Sequence, residues 1–149
     1  MEKTTISIAS DHGGRLLKNA VIKHLEASSW TLLDHGVDVD AGVSVDYPDY
    51  AAKVAEDLMK GVAERGILIC GTGIGMSLAA NKFPGIRATL VWDEFTARMS
   101  RAHNNSNILI LGERVLNHDR ALDLVDIWLR TEFEARHQAR LDKVESLAK

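Results

Sequence analysis

Short apolar runs rich in β-branched residues recur along this chain, and between them the apolar positions spread out to helical spacing. The runs predict strands over residues 4–9, 31–34, 66–70, 87–91 and 107–111. The intervening pattern predicts helices over about 14–28, 49–60, 75–81, 93–104 and 118–131, with a last one over about 134–148. Strand and helix in regular alternation argue for an α/β fold with a five-stranded parallel sheet covered on both faces. Residues 36–48 form the one long connection and are poor in helix formers, so they are read as a binding element. No repeat, low-complexity run or linker divides residues 1–149, which are read as a single domain.

The clearest local pattern is I-L-I-C-G-T-G-I-G-M-S at 67–77, an apolar strand that breaks at Cys70 into alternating glycines. A strand, a glycine loop and a helix start can hold an anion, because the backbone approaches closely and free N–H groups point outward. A thiol at the first position and a hydroxyl, Thr72, two residues later are not needed for that. Their presence points to chemistry. The spacing departs from G-x-G-x-x-G because Met76 stands at the third glycine position, although Asp93 and Glu94 lie near where an acidic ribose ligand would fall. No Gly-Lys-Ser/Thr follows, which excludes a P-loop.

In an open parallel sheet, ligands sit beyond the carboxyl ends of the strands where the winding reverses. The first strand runs into Asp11-His12-Gly13-Gly14 and the third into Cys70-Gly71-Thr72-Gly73, so Asp11, His12, Cys70 and Thr72 line one crevice if these strands are neighbours. His103-Asn104-Asn105, closing the helix after the fourth strand, is grouped with them, although spacing does not say whether His103 reaches the crevice. Cys70 reads either as a small buried hydrophobe or as a thiol held ready as base or nucleophile. Asp11 reads as a helix cap or a ligand to whatever the loop binds, and His12 as exposed or beside that ligand. His24, His35 and His118 read as solvated. Arg136 and Arg140, four apart, fall on one helical face, where they either pair with Glu132, Glu134 or Asp142 or clamp a phosphate. No closely spaced His or Cys pair argues for a metal.

A net charge of -3 gives no general electrostatic reason to bind nucleic acid. The single cysteine excludes an internal disulfide and fits a reducing compartment. No signal-like or membrane-spanning apolar run is present, so the chain is read as cytoplasmic, with no membrane partner.

Taken together, S-D-H-G-G, D-Y-P-D-Y at 46–50, I-L-I-C-G-T-G-I-G-M-S-L-A-A-N-K, G-I-R-A at 85–88, S-R-A-H-N-N-S-N, L-G-E-R-V and R-H-Q-A-R resemble the type B ribose-5-phosphate isomerases and the related galactose- and allose-6-phosphate isomerases over the full length. The resemblance implies a Rossmann-like three-layer α/β/α sandwich, a homodimer or tetramer with active sites shared between subunits, and a C-terminal helix at about 134–148 packing at a subunit interface. It implies an aldose-ketose isomerase interconverting ribose 5-phosphate and ribulose 5-phosphate through an enediolate, without cofactor or metal. By position, Cys70 matches the proton-transfer base, Thr72 its neighbouring hydroxyl and His103 the ring-opening histidine. Asp11, His12, Tyr47, Asn104 and Arg114 match substrate-binding residues, as does the loop of Gly71, Gly73, Ile74 and Gly75, whose amides would stabilise the oxyanion. Arg136, Arg140 and His137 match the phosphate site. The approach F-E-A-R-H is a residue shorter than in some relatives, and the region where other relatives carry a glutamate reads Gly75-Met76 here. A six-carbon sugar phosphate, a noncatalytic sugar-phosphate or nucleotide module and a thiol-nucleophile phosphatase or transferase are the competing readings.

Overall fold

The computed structural model describes residues 4–38 and 42–147. Five strands, β1 (Thr5–Ser10), β2 (Thr31–Asp34), β3 (Arg65–Cys70), β4 (Ala88–Leu90) and β5 (Ile108–Gly112), form one parallel sheet in the order β2-β1-β3-β5-β4. Six helices alternate with them: α1 (Arg15–Leu25), α2 (Tyr47–Met59), α3 (Ile74–Ala80), α4 (Glu94–Ala102), α5 (His118–Arg130) and α6 (Gln138–Ser146). Single 3₁₀ turns at His12–Gly14 and Ala135–His137 lead into α1 and α6.

The pleat sorts the core into two layers, as period-two side chains must. Ile67 and Ile69 of β3 face a core built with Leu17 and Val21 of α1 and Leu124, Val125 and Trp128 of α5. Leu68 and Cys70 face the other way, onto Val54 of α2 and Met76 and Ala80 of α3. The three-layer sandwich therefore follows from near-continuous apolar strands buried on both faces. From the β1/β3 pair the sheet winds outward in both directions, which makes their carboxyl ends the switch point.

The boundaries differ from the sequence reading where local chemistry overrules periodicity. α2 starts at Tyr47 because Pro48 sits in its first turn, where a missing N–H costs nothing. The helix predicted from Glu134 splits into a 3₁₀ turn and α6, and its predicted end at Ala148 lies outside the described residues, as do residues 39–41 of the long connection. Asp93 is no free ribose ligand: its carboxylate accepts from the Thr96 N–H at 2.7 Å and closes a capping box on α4. Those hydrogen bonds, backbone first and then side chain, hold its carboxyl below the usual range.

Nor is His35 solvated. Its Nε2 lies 2.5 Å from Asp57 Oδ2, which also accepts from the buried Ser7 hydroxyl at 2.7 Å, clasping α2 to β1 and to the β2 exit. His24 pairs with Asp126 at 2.9 Å, and His118 stands 3.9 Å from Glu113. A buried lysine, Lys18, reaches both oxygens of Asp34 at 3.0 Å, and Asp34 accepts from the Gly36 N–H at 2.8 Å. The same turn bonds to β1 through Ser10 N–H to Gly36 O at 2.8 Å and Val37 N–H to Ser10 O at 3.1 Å. Among the described residues no helix is long and apolar enough to cross a membrane.

Packing leaves no spare room where β1 leaves the sheet. A methyl group on Gly14 would stand 2.5 Å from the carbonyl oxygen of Ile69 and 2.7 Å from its carbon, both backbone atoms that cannot rotate away. Gly14→Ala should therefore cost about 1–3 kcal/mol, read as a lower urea midpoint at unchanged slope. An unshifted midpoint would show that this contact carries no strain.

Candidate active site

At the switch point Cys70 closes β3, 5% exposed, with its sulfur turned toward the α2 and α3 layer. The Gly73 N–H donates to Cys70 Sγ at 3.2 Å, and the Ile74 N–H donates to Thr72 Oγ1 at 3.2 Å. A charged sulfur accepts such a bond more strongly than a neutral one. Gly73 has φ of 82°, and a methyl there would meet Leu90 Cδ1 at 2.4 Å, so only glycine turns the chain in this space. The structure narrows the expected oxyanion donors: the Gly73 and Ile74 amides are taken by Cys70 and Thr72. Among the described residues the Gly71, Thr72 and Gly75 amides have no acceptor.

The β1 exit lies directly against this loop. A methyl on Gly13 would come 3.2 Å from the Gly71 nitrogen, so the two turns touch backbone to backbone. Asp11, buried, accepts from the Gly13 N–H at 2.9 Å and caps the turn. His12 Nδ1 accepts from the Val45 N–H at 3.1 Å, which places the proton of a neutral ring on Nε2 and ties the long connection to the site. The Arg114 guanidinium lies against Gly71, where a methyl would be 3.3 Å from its Nη1, and the Arg114 N–H donates to Gly71 O at 2.9 Å. Tyr47 covers Gly75, leaving 2.6 Å to a methyl there. Ile74 is exposed and lines, with Thr72, Trp92 and Val115, an apolar cavity of about 280 Å³. Asp11, His12, Cys70, Thr72, Tyr47 and Arg114 thus meet at one edge of the sheet.

His103 does not join them. Helices return antiparallel to the strands, so the last turn of α4 lies at the amino edge, about 16 Å from Cys70 along the six residues of β3. There Arg101, almost wholly buried, donates to Ser106 O, to Asn105 Oδ1 at 3.1 Å and to Thr131 O at 3.4 Å, tying the His103–Asn105 turn to the segment after α5. Both Arg101 and Arg65, the first residue of β3, stack on Trp128. Desolvation, then Arg65 and Arg87, pulls Arg101 down to about 10. The Glu134 N–H donates to Ala102 O at 2.9 Å, bringing the second segment onto the first.

A basic cluster results. His103 and His137 stack with centroids 4.2 Å apart, and Glu134 Oε2 lies 3.5 Å from His103 Nε2, 3.6 Å from His137 Nε2 and 3.2 Å from Arg136. Desolvation, with Arg136 and His103 beside it, lowers His137 below its usual value. Arg136 sits in the 3₁₀ turn rather than in α6, so it and Arg140 do not share one continuous helical face as their spacing predicts. Asn104 is exposed at the same edge. His103, Glu134 and His137 bring ligand-type atoms within 4.8 Å of one another, a grouping that linear spacing did not show. Arg136 already meets the charge of the one carboxylate in that trio.

One carboxylate escaped the sequence reading: Glu113 accepts from the Leu17 N–H at 2.5 Å, capping α1 from the end of β5, and its sole sequence signal was adjacency to Arg114. Glu134, named as a possible partner of the arginines, does pair with Arg136, and its approach to His103 and His137 is what spacing did not show.

The family described as ribose/galactose isomerase matches residues 6–144. Ribose-5-phosphate isomerase B of Escherichia coli is 40% identical over 143 residues, 95% of each chain. The structure of Clostridium thermocellum ribose-5-phosphate isomerase B superposes with TM-score 0.93 at 49% identity, covering 97% of both chains. That of the Mycoplasma genitalium enzyme with bound ribulose 5-phosphate gives 0.91 at 40% identity, covering 99% of this chain and 97% of that one. Motifs, fold and full-length likeness agree, and the chain belongs to the ribose/galactose isomerase family.

Proposed function

We propose that the protein interconverts ribose 5-phosphate and ribulose 5-phosphate. The observation that carries this reading is the thiol of Cys70, fixed by the Gly73 amide at the switch point beside Asp11, His12 and Arg114. It is supported by the likeness to a Mycoplasma genitalium enzyme with bound ribulose 5-phosphate. Aldose-ketose isomerisation takes a proton from C2, passes through an enediolate and returns a proton to C1, so it needs one reversible base and donors for the charge that develops on oxygen. Cys70 is that base. The Gly71, Thr72 and Gly75 amides, with the Thr72 hydroxyl, face the reacting oxygens and need no reorganisation to do so. No redox partner enters, because the electrons moved stay within the sugar.

His103 opens the sugar ring by protonating the ring oxygen, and Asn104 holds a hydroxyl beside it. Arg136, Arg140 and His137 hold the phosphate, where a guanidinium fork matches its oxygens. Since these residues lie at the opposite edge of the sheet from Cys70, a second copy of the chain supplies them, and each site pairs one copy's switch point with its partner's basic cluster. Val144 on α6 and Leu147 just after it are exposed, and α6 serves as part of the contact. A working thiol and a single cysteine fit a reducing compartment, which supports reading the enzyme as cytoplasmic.

Cys70→Ala should abolish exchange of the C2 proton with solvent deuterium while phosphate binding survives; exchange at the wild-type rate would remove Cys70 from the base role. A stable adduct on Cys70 by intact mass would instead favour a thiol nucleophile. Arg136→Ala should raise KM for ribose 5-phosphate by the equivalent of about 1.5–3 kcal/mol with little change in kcat. An unaltered KM would take Arg136 out of the clamp.

The shared site is tested by refolding a 1:1 mixture of Cys70→Ala with the Arg136→Ala/Arg140→Ala double variant. Random pairing restores roughly a quarter of the wild-type sites if the halves come from different copies. No recovery above the separate variants would mean each chain builds its site alone. Comparing kcat/KM for ribose 5-phosphate with that for allose and galactose 6-phosphates decides between five and six carbons.

A further inference from the structure

The basic cluster holds a carboxylate where an anion would bind. Glu134 Oε2 is approached by Arg136 at 3.2 Å, His103 at 3.5 Å and His137 at 3.6 Å, three cationic or donor groups drawn from two segments. Only the arginine is within hydrogen-bond length. His137 Nε2 is buried, lies just beyond hydrogen-bond reach of the carboxylate and has no other partner among the described residues. Among the described residues Arg140 has no carboxylate within 4.0 Å, yet it stands close enough to act on His137. One carboxylate is therefore faced by one guanidinium and two imidazoles, while the Arg140 guanidinium near His137 is left without a carboxylate. Glu134 leaves donors unmatched that a tetrahedral anion with more oxygens and more charge would satisfy.

From this arrangement we infer that Glu134 is an internal stand-in for the substrate's phosphate: its carboxylate occupies the anion seat in the free enzyme and swings out when a phosphoryl group enters. The inference rests on the reading of Arg136, Arg140 and His137 as the phosphate clamp. The backbone supports a swing of the side chain alone. Glu134 N–H is pinned to Ala102 O at 2.9 Å, while its side chain is 48% exposed and has solvent to move into. The incoming dianion then exchanges one negative partner for another, so part of its attraction to the arginines is offset by the pair it breaks. Meanwhile the seat stays preformed, because Glu134 keeps His103, His137 and Arg136 together until substrate arrives.

Glu134→Gln keeps the size of the side chain and removes its charge. Titration of inorganic phosphate by calorimetry should show about two- to tenfold tighter binding to Glu134→Gln than to wild type, the size of a partly exposed ion pair expressed as a binding ratio. KM for ribose 5-phosphate should fall in parallel. Glu134→Asp, which retains the charge, should bind phosphate within about twofold of wild type. Arg136→Ala is the control for the underlying clamp. If Arg136→Ala weakens phosphate binding while Glu134→Gln binds it no tighter than wild type, the clamp stands and Glu134 is scaffold rather than stand-in. If Arg136→Ala and Arg140→Ala both leave phosphate binding unchanged, the clamp itself falls and this inference falls with it. Far-ultraviolet circular dichroism and the urea midpoint of each variant identify any that fails to fold; Glu134→Ala then repeats the charge removal with the same expected direction.

Discussion

Where β1 and β3 leave the sheet their backbones touch, and most of the molecule's function depends on that contact. Gly13 meets the Gly71 nitrogen, and Gly14 lies on the Ile69 carbonyl with no room for a methyl group. The approach brings Asp11 and His12 from one turn beside Cys70 and Thr72 from another. Around it the supporting bonds come from distant parts of the chain: Glu113 caps α1, Lys18 holds Asp34, and Asp34 holds the Gly36 turn that pairs with Ser10. Each carries charge or hydrogen bonding into a place where an unpaired group would be costly. Together they brace the β1 and β3 exits, the rigid frame that Cys70 would need in its proposed role as base.

The amino edge of the sheet is organised differently. Two arginines stack on Trp128 with few carboxylates near them, and Arg101 spends its donors on main-chain carbonyls and Asn105. Its task is to hold two turns in register, one carrying His103 and Asn104, the other carrying Glu134, Arg136 and His137. Asn105 adopts φ of 47°, a conformation that asparagine tolerates better than most residues, so that the turn can close beneath Arg101. This edge collects positive charge, whereas the Cys70 edge collects backbone donors around a thiol. In the proposed reading the dianion is held by one of these environments and the proton is moved in the other, and a second copy of the chain brings the two together.

Much of this was legible in the chain. Apolar runs of strand length gave all five strands, because a parallel strand buried on both faces shows no polar alternation to confuse the pattern. The glycines at 71, 73 and 75 marked the loop, and the structure gives each a separate reason: Arg114 over the first, a left-handed turn against Leu90 at the second, Tyr47 over the third. The grouping of His103 with Cys70 was not legible. Both close an element, yet a strand and the helix after it end at opposite edges, and only the topology shows which edge each occupies. His35 looked solvated because its partner Asp57 is distant in sequence, and Asp93 looked free because its cap on Thr96 depends on where α4 begins.

Local periodicity and motif order by themselves determined the α/β class, the strand inventory, the thiol in its glycine loop and the kinship with sugar-phosphate isomerases. These are properties of neighbouring residues, which share one stretch of backbone and one pattern of burial. The tertiary structure alone decided that the thiol and the basic cluster stand at opposite edges, and that Glu134 sits among the residues read as the phosphate clamp. It also decided that two of the loop amides are taken by Cys70 and Thr72. The edge assignment and the approach of Glu134 to His103 join segments far apart in the chain, set by strand order and helix direction, whereas the amide bonds are local and depend on how the glycine loop turns; spacing along the sequence encodes none of them.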